Sequence, residues 1–226
     1  MSVKLISISN PVETDGVKNA EDLVAYCARV SNPSNQSNIQ TAPKLLNYLI
    51  KHKHWSPFEM VSMTLEIKTS RAIAAQILRH RSFAFQEFSQ RYSEALKSCP
   101  IKLREQGKTN RQVGENEVDP MIIDRFYKKT TRPASELIEH HIEASFKIYE
   151  NLISQGVARE SARMILPLST ETTMYMAGSL RSWIHYIDLR TQEETQKEHR
   201  EIAEGCKNIF IEQCPTLSEA LKWKNS

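Results

Sequence analysis

Apolar residues recur along this chain with two different periods, and the switch between them predicts a mixed fold. Ala20, Leu23, Val24, Cys27 and Val30 stand three or four apart, the spacing of one helical face, and the turn residues Ser31-Asn32-Pro33-Ser34-Asn35-Gln36-Ser37-Asn38 stop that helix. Over residues 41–52, Leu45, Leu46, Leu49 and Ile50 form a second helical stripe. Val61, Met63, Leu65 and Ile67 then alternate with Ser62, Thr64 and Glu66, the two-residue period of a strand buried on one face. Ser70 supplies an N-cap for the apolar helix that follows. Residues 134–155 predict a long helix whose apolar face carries Leu137, His141, Ala144, Ile148 and Leu152, with Gly156 as its stop. Residues 159–165 read as a short helix ended near Pro167, and residues 172–177 as a strand or extended entry. Two more helices, over 179–189 and 193–213, complete a helix-rich pattern with a minority of strand. Between these elements residues 98–119 are polar and aperiodic, which predicts a long surface excursion.

Composition narrows the picture mainly by exclusion. The chain has 226 residues, 40% of them hydrophobic, enough apolar material for a substantial core. Lys and Arg number 30 against 27 Asp and Glu, so a net charge of +3 argues against a polycation and against an acidic solvating tail. Anion binding must come from local clusters. No apolar run approaches the roughly 20 residues that span a bilayer, and the first residues are too mixed for a secretory signal. These features predict a soluble, intracellular, cytoplasmic protein without a membrane partner. With no internal repeat and only six glycines, one domain over residues 1–226 is expected. The cysteines at 27, 99, 206 and 214 lack CxxC spacing and read as reduced thiols, Cys206 as core filler beside Ile202, Ile209 and Phe210. His52 with His54, and His140 with His141, give neither the i,i+4 pair nor the HExxH pattern of zinc sites, so no metal is assigned.

The most unusual segment is Arg79-His80-Arg81-Ser82-Phe83-Ala84-Phe85-Gln86-Glu87-Phe88-Ser89-Gln90-Arg91. A solvated helix face mixes Lys with Glu at i,i+4, whereas here Phe83, Phe85 and Phe88 are interleaved between fixed charges. That is the composition of a partly buried polar pocket, and the planar guanidinium fork suits phosphate or carboxylate. On composition alone an Arg and Glu network in an oligomer interface explains the segment equally well. A nucleic-acid surface that stacks bases on the aromatics is a further reading.

The spacing of Arg79-His80-Arg81, then seven residues, then Ser89 and Arg91, resembles the signature of the flavin-dependent thymidylate synthases. The likeness extends to His52-Lys53-His54-Trp55-Ser56-Pro57-Phe58-Glu59, to Arg159-Glu160-Ser161-Ala162-Arg163 with Leu166-Pro167, and to residues 179–190. It is collinear from about residue 20 to 215. The resemblance implies an α+β fold, a helix-rich single domain with a small, mostly antiparallel sheet. It also implies reductive methylation of dUMP to dTMP with FAD as cofactor, 5,10-methylenetetrahydrofolate as one-carbon donor and NADPH as reductant, in a homotetramer with shared active sites and no nucleic-acid partner.

By the same resemblance, Gln76, Arg79, Glu87, Phe88, Ser89 and Gln90, together with Arg91, Arg163 and Arg190, surround dUMP. Arg190 is the catalytic residue, its charge facing the uracil edge and stabilising the N3-deprotonated ring. Ser56, Arg79, His80, Arg81 and Glu87, with Ser179, Leu180, Arg181 and His185, hold FAD, and His54 and Glu59 lie close by. His80 in this reading fixes flavin geometry. Arg181, His185 and Asp188 fall at i, i+4 and i+7 on one helical face, opposite Leu180, Ile184 and Ile187. Ser179 and His185 stand where many family members carry Asn, so contacts to the cofactor differ in detail there. No cysteine in the chain is marked as a nucleophile, so the chemistry implied needs no thiol.

Overall fold

The computed structural model describes residues 1–90, 97–108, 110, 113–124 and 130–224. Its centre is an antiparallel sheet of β1 (Ser2–Ile8), β2 (Ser62–Ser70), β3 (Ala84–Glu87) and a long late strand Glu171–Ser179, in the order β1, β2, late strand, β3. The alternation read from the sequence is what builds it. Val61, Met63, Leu65 and Ile67 have no exposed surface, and Leu65 pairs with Met176 and Ile67 with Met174, which are equally buried. One face of the sheet is therefore a continuous apolar layer.

Helices cover that layer. They are α1 (Ala20–Ala28), α2 (Ala42–Lys51), α3 (Arg71–Ile77), α6 (Leu180–Arg190), α7 (Lys197–Gln213) and α8 (Pro215–Ala220), while α4 (Ala134–Ser154) and α5 (Arg159–Ala162) contribute no residue to that core. Trp183 and Tyr186 of α6 and Cys206 and Phe210 of α7 join the sheet's side chains in one buried cluster, and Trp183 Nε1 donates to Met63 O at 2.9 Å. Gly205 lets α7 lie close on β1, because a Cβ there would meet Val3 Cγ2 at 3.0 Å. The observed class is the expected α+β, helix-rich with a small antiparallel sheet. No described helix is long and apolar enough to cross a membrane.

One expectation, the buried face of α4, needs correction, and several elements carry no sequence signal. Periodicity did not predict β1, β3 or α8, and β1 is an edge strand whose residues are at most half-buried. The polar stretch 98–119 is not featureless. It contains a hairpin of β4 (Arg104–Gln106) with β5 (Gly114–Glu117), tied to α7 by Arg104 and Glu198 at 2.7 Å, and β6 (Met121–Ile123) pairs with β7 (Thr131–Pro133) just beyond it. The long helix α4 forms as expected, but Ala134, Ser145 and Tyr149 are its buried residues, whereas Ile148 is 53% exposed and His141 is on the surface. The stripe through residues 141 and 148 is not covered by the described residues of this chain. The strand Glu171–Ser179 is called β8 below.

Candidate functional site

Two chain reversals at one end of the sheet create the site. The first follows β2, where Ser70 Oγ accepts from Ile73 N–H at 3.3 Å and caps α3. After α3 the chain turns through Arg79, His80 and Arg81 before entering β3. Phe83 anchors this turn, with its ring 4.8 Å from Trp183 in an edge contact. The turn sends alternate side chains in opposite directions: Arg79 and Arg81 are exposed, and His80 points inward. Neither exposed guanidinium is hydrogen-bonded or ion-paired to a described residue. His80 packs edge-on against Tyr186, 4.9 Å between centroids, and its Nε2 accepts from Arg190 Nε at 2.9 Å. Burial, aided by the Arg190 and His185 charges, lowers its pKa to about 4, so the ring is neutral and able to accept.

The second reversal joins β8 to α6. Ser179 Oγ accepts from Ser182 N–H at 3.3 Å, capping α6, and donates to Glu59 Oε2 at 2.6 Å. Arg181 Nη1 donates to the other oxygen of Glu59 at 2.8 Å. The Ser179 hydrogen bond, and after it Arg181, keeps the Glu59 carboxyl below the usual carboxylate range. Beside this pair lies an open cleft of about 520 Å³, lined by Trp55, Ser82, Ser182, Ile184, His185 and Asp188 as well as Glu59 and Arg181. Trp223 Nε1 donates to Asp188 Oδ1 at 3.1 Å, yet burial still raises the pKa of that carboxyl. Ser182 Oγ donates to Ser82 O at 3.3 Å and stitches the two reversals together.

The structure thus brings Glu59, Arg181 and His185, expected at the flavin, to one cleft, with Ser179 hydrogen-bonded to Glu59 beside it. His54 and Ser56 flank Trp55 on the exposed surface, and Leu180 is a core residue whose N–H is bonded to Val61 O. Among the residues expected at dUMP, Arg190 meets His80. Gln76 lies one step behind them, linked through His199 to Tyr186, the ring against which His80 packs. Glu87 accepts from Arg71 at 3.1 Å and from Thr172 Oγ1 at 2.9 Å, Phe88 N–H bonds Thr173 O, and Ser89 and Gln90 continue along this edge. Arg163 sits apart in the 3-10 turn Arg163–Ile165, its Nε donating to Glu160 O at 3.4 Å. Arg91 lies outside the described residues.

Five neighbours of the site, Trp55, Ser82, Ser182, Tyr186 and His199, carry no role in the sequence reading. His199 carried a readable signal, because it falls three residues before Ile202 on the apolar stripe of its helix. No three His, Cys, Asp or Glu side chains converge as metal ligands among the described residues. Burial raises the pKa of the Cys27, Cys99, Cys206 and Cys214 thiols, the wrong direction for a thiolate nucleophile.

Comparison with known proteins gives the family of the chain. The family of the thymidylate synthase complementing protein matches residues 13–216. A probable flavin-dependent thymidylate synthase of Paramecium bursaria Chlorella virus 1 is 52% identical over 224 residues, 99% of this chain and 100% of that one. The flavin-dependent thymidylate synthase of Synechocystis sp. is 48% identical over 225 residues, with 99% and 100% covered. A UMP/dUMP methylase from Streptomyces cacaoi, crystallised with 5-Br dUMP, shares the fold with a TM-score of 0.73 at 24% identity, over 98% of this chain and 94% of that one. A family match over nearly the whole chain, with two relatives matched along their full length, means that the chain belongs to the flavin-dependent thymidylate synthases.

Proposed function

We propose that this protein methylates dUMP to dTMP, with FAD as its flavin, 5,10-methylenetetrahydrofolate as one-carbon donor and NADPH as reductant. The cleft is suited to FAD. Trp55 offers an aromatic wall, Ser82, Ser182 and His185 offer hydrogen-bonding edges, and Arg79 and Arg81 on the adjoining turn, paired with no described residue, suit a pyrophosphate. When bound, FAD supplies the redox chemistry that the side chains cannot. Glu59, held ionised by Ser179 and Arg181, orients Arg181 at the rim of the cleft.

The observation that carries the reading is the pairing of Arg190 with a neutral imidazole. Among the described residues no carboxylate meets this guanidinium, and His80 fixes its Nε without cancelling its charge. The Nη groups remain for a ligand. Placed at the uracil edge, they stabilise the ring deprotonated at N3 and so activate it towards the one-carbon unit without an enzyme nucleophile. Phosphate binding falls to Arg79, Arg91 and Arg163, with the Ser89 hydroxyl as a further donor, and Glu87, Phe88 and Gln90 line the same edge. The separation of Arg163 from the His80 and Arg190 pair, together with the exposed Ile148, Met164 and Leu168, supports a homotetramer whose chains share each site. Arg190→Ala protein should still bind FAD and turn yellow while forming no dTMP. Full dTMP synthesis by that variant would refute the role given to Arg190. Mixed tetramers of Arg163→Ala and Arg190→Ala chains should regain activity if sites are shared, and stay inactive if each chain is self-sufficient.

A further inference from the structure

Behind the His80 and Arg190 pair runs a line of hydrogen bonds whose direction is set at one end. Glu198 receives Arg104 Nη1 on Oε1 at 2.7 Å, and its Oε2 accepts from Gln196 Nε2 at 3.0 Å. A carboxylate held ionised only accepts, and Glu198 has a pKa lowered by the hydrogen bonds and charge it receives despite its burial. Gln196 must therefore turn its amide nitrogen to Glu198 and its oxygen away. That oxygen accepts from Gln76 Nε2 at 2.7 Å, which leaves Gln76 Oε1 facing His199 Nδ1 at 3.2 Å. Only the tautomer of His199 with hydrogen on Nδ1 fits, and its bare Nε2 then accepts from the Tyr186 hydroxyl at 3.2 Å. His199 and Tyr186 have no exposed surface, so water does not compete for these bonds.

Gln76 is the one member of the line that is also expected at the nucleotide. An isolated glutamine amide can present oxygen or nitrogen equally well. Here Gln196 takes one N–H and His199 fixes which way the oxygen points, so the second N–H, not used by any described residue, is the donor Gln76 has left to offer. We propose that His199 is a positioning residue that, with Gln196, locks the Gln76 amide so that it presents an N–H to an acceptor atom of the uridylate. The inference rests on the proposed placement of Gln76 at dUMP and adds a residue that does not itself touch the ligand.

The test exploits the two nitrogens of the ring. An Asn amide reproduces the position of Nδ1 and a Gln amide that of Nε2, so His199→Asn keeps the donor to Gln76 while His199→Gln keeps only the contact to Tyr186. Calorimetric titration of the FAD-loaded protein with dUMP should show His199→Asn within about twofold of the parent and His199→Gln weakened about five- to tenfold, the size of one lost hydrogen bond. In Gln76→Ala protein, exchanging His199 for Gln should have no further effect. Equal weakening by Asn and Gln, or additive losses on the Gln76→Ala background, would overturn the proposal. Should the His199 variants not fold, the exposed Gln196→Ala reads the same lock: weakening that vanishes on the Gln76→Ala background supports it, and unchanged or additive affinity refutes it. If Gln76→Ala alone leaves dUMP affinity unchanged, the placement of Gln76 at the nucleotide fails instead.

Discussion

Gly178 tests how tightly the turn of Arg79 to Ser82 is held. This residue of β8 faces Met63 of β2, and a Cβ built on it would lie 2.5 Å from Phe83 Cδ1 and 2.7 Å from Cε1. The ring cannot swing clear, because it is 8% exposed and packed at 4.8 Å from Trp183 and 6.0 Å from Tyr186. Alanine in a strand is worth about 0.5–1 kcal/mol over glycine on backbone entropy alone. Overpacking costs about 1–3 kcal/mol and wins. Gly178→Ala should therefore lose about 1–2 kcal/mol, a fall in Tm of about 2–8 °C for a chain of this size. Retention of FAD through dialysis should fall with it, since Phe83 anchors the turn that carries Arg79 and Arg81. Urea unfolding of Gly178→Ala, Phe83→Leu and the double variant supplies the decisive number. The smaller Leu side chain relieves the clash, so the double variant should lose about 1 kcal/mol less than the sum of the single losses. Strict additivity, or a Gly178→Ala protein as stable as the parent, would refute the argument.

Other consequences follow from the same contacts. His80 and His199 have pKa values lowered to about 4 and about 3, so between those values and about 6.5 the unfolded chain binds protons that the folded chain does not. Stability measured by urea unfolding should therefore fall as pH drops from about 6.5 to 4, by up to about 1.4 kcal/mol per pH unit for each ring, and His199→Asn should remove one of the two contributions. Glu21 is 4% exposed and accepts from Leu217 N–H at 2.6 Å at the start of α8, so Glu21→Ala should lower the unfolding free energy by about 1–3 kcal/mol through the orphaned amide. An unchanged urea midpoint would contradict this. Trp55→Ala should weaken FAD binding about tenfold in a fluorescence titration, the size of one lost aromatic stacking partner, while dUMP affinity stays within twofold.

The parts of the fold legible from sequence are those with one wet and one dry face. Residues 61–67 declare a strand because every second side chain is fully buried between the sheet and its helices. The edge strand β1 gives no such signal, since Val3 and Leu5 are only partly covered and a shift in pairing between Leu5 and Ser7 breaks its register. Both strands of the β4 and β5 hairpin keep most side chains in water, and the hairpin is tied down by the Arg104 and Glu198 ion pair, a long-range contact that no local period encodes. For α4 the periodicity finds the helix and misplaces its buried side. A stripe of apolar residues states that something will cover it, not that the covering element belongs to the same chain.

The site divides along the same line. Residue types and spacing are enough to bring Arg79 to Arg91 under suspicion, because anion chemistry needs guanidiniums and few other segments interleave them with aromatics, whereas Ser179 to Arg190 stands out only through the family resemblance. Charge state is a different kind of property. His80 sits between two arginines in sequence, and packing against Tyr186, itself held by Trp183 and Phe83, half-buries the ring, lowers its pKa to about 4 and so keeps it neutral. That neutrality decides what Arg190 can do. In the proposed role of Arg190, an acidic partner would hold the guanidinium in place equally well but cancel the charge that a uracil anion would need, whereas an imidazole acceptor holds it and leaves the charge intact. Positioning and charge are thus separated by burying the partner, and the cost of keeping a ring neutral below its ordinary pKa is the physical reason that the aromatic cluster belongs to the site as much as the arginines do.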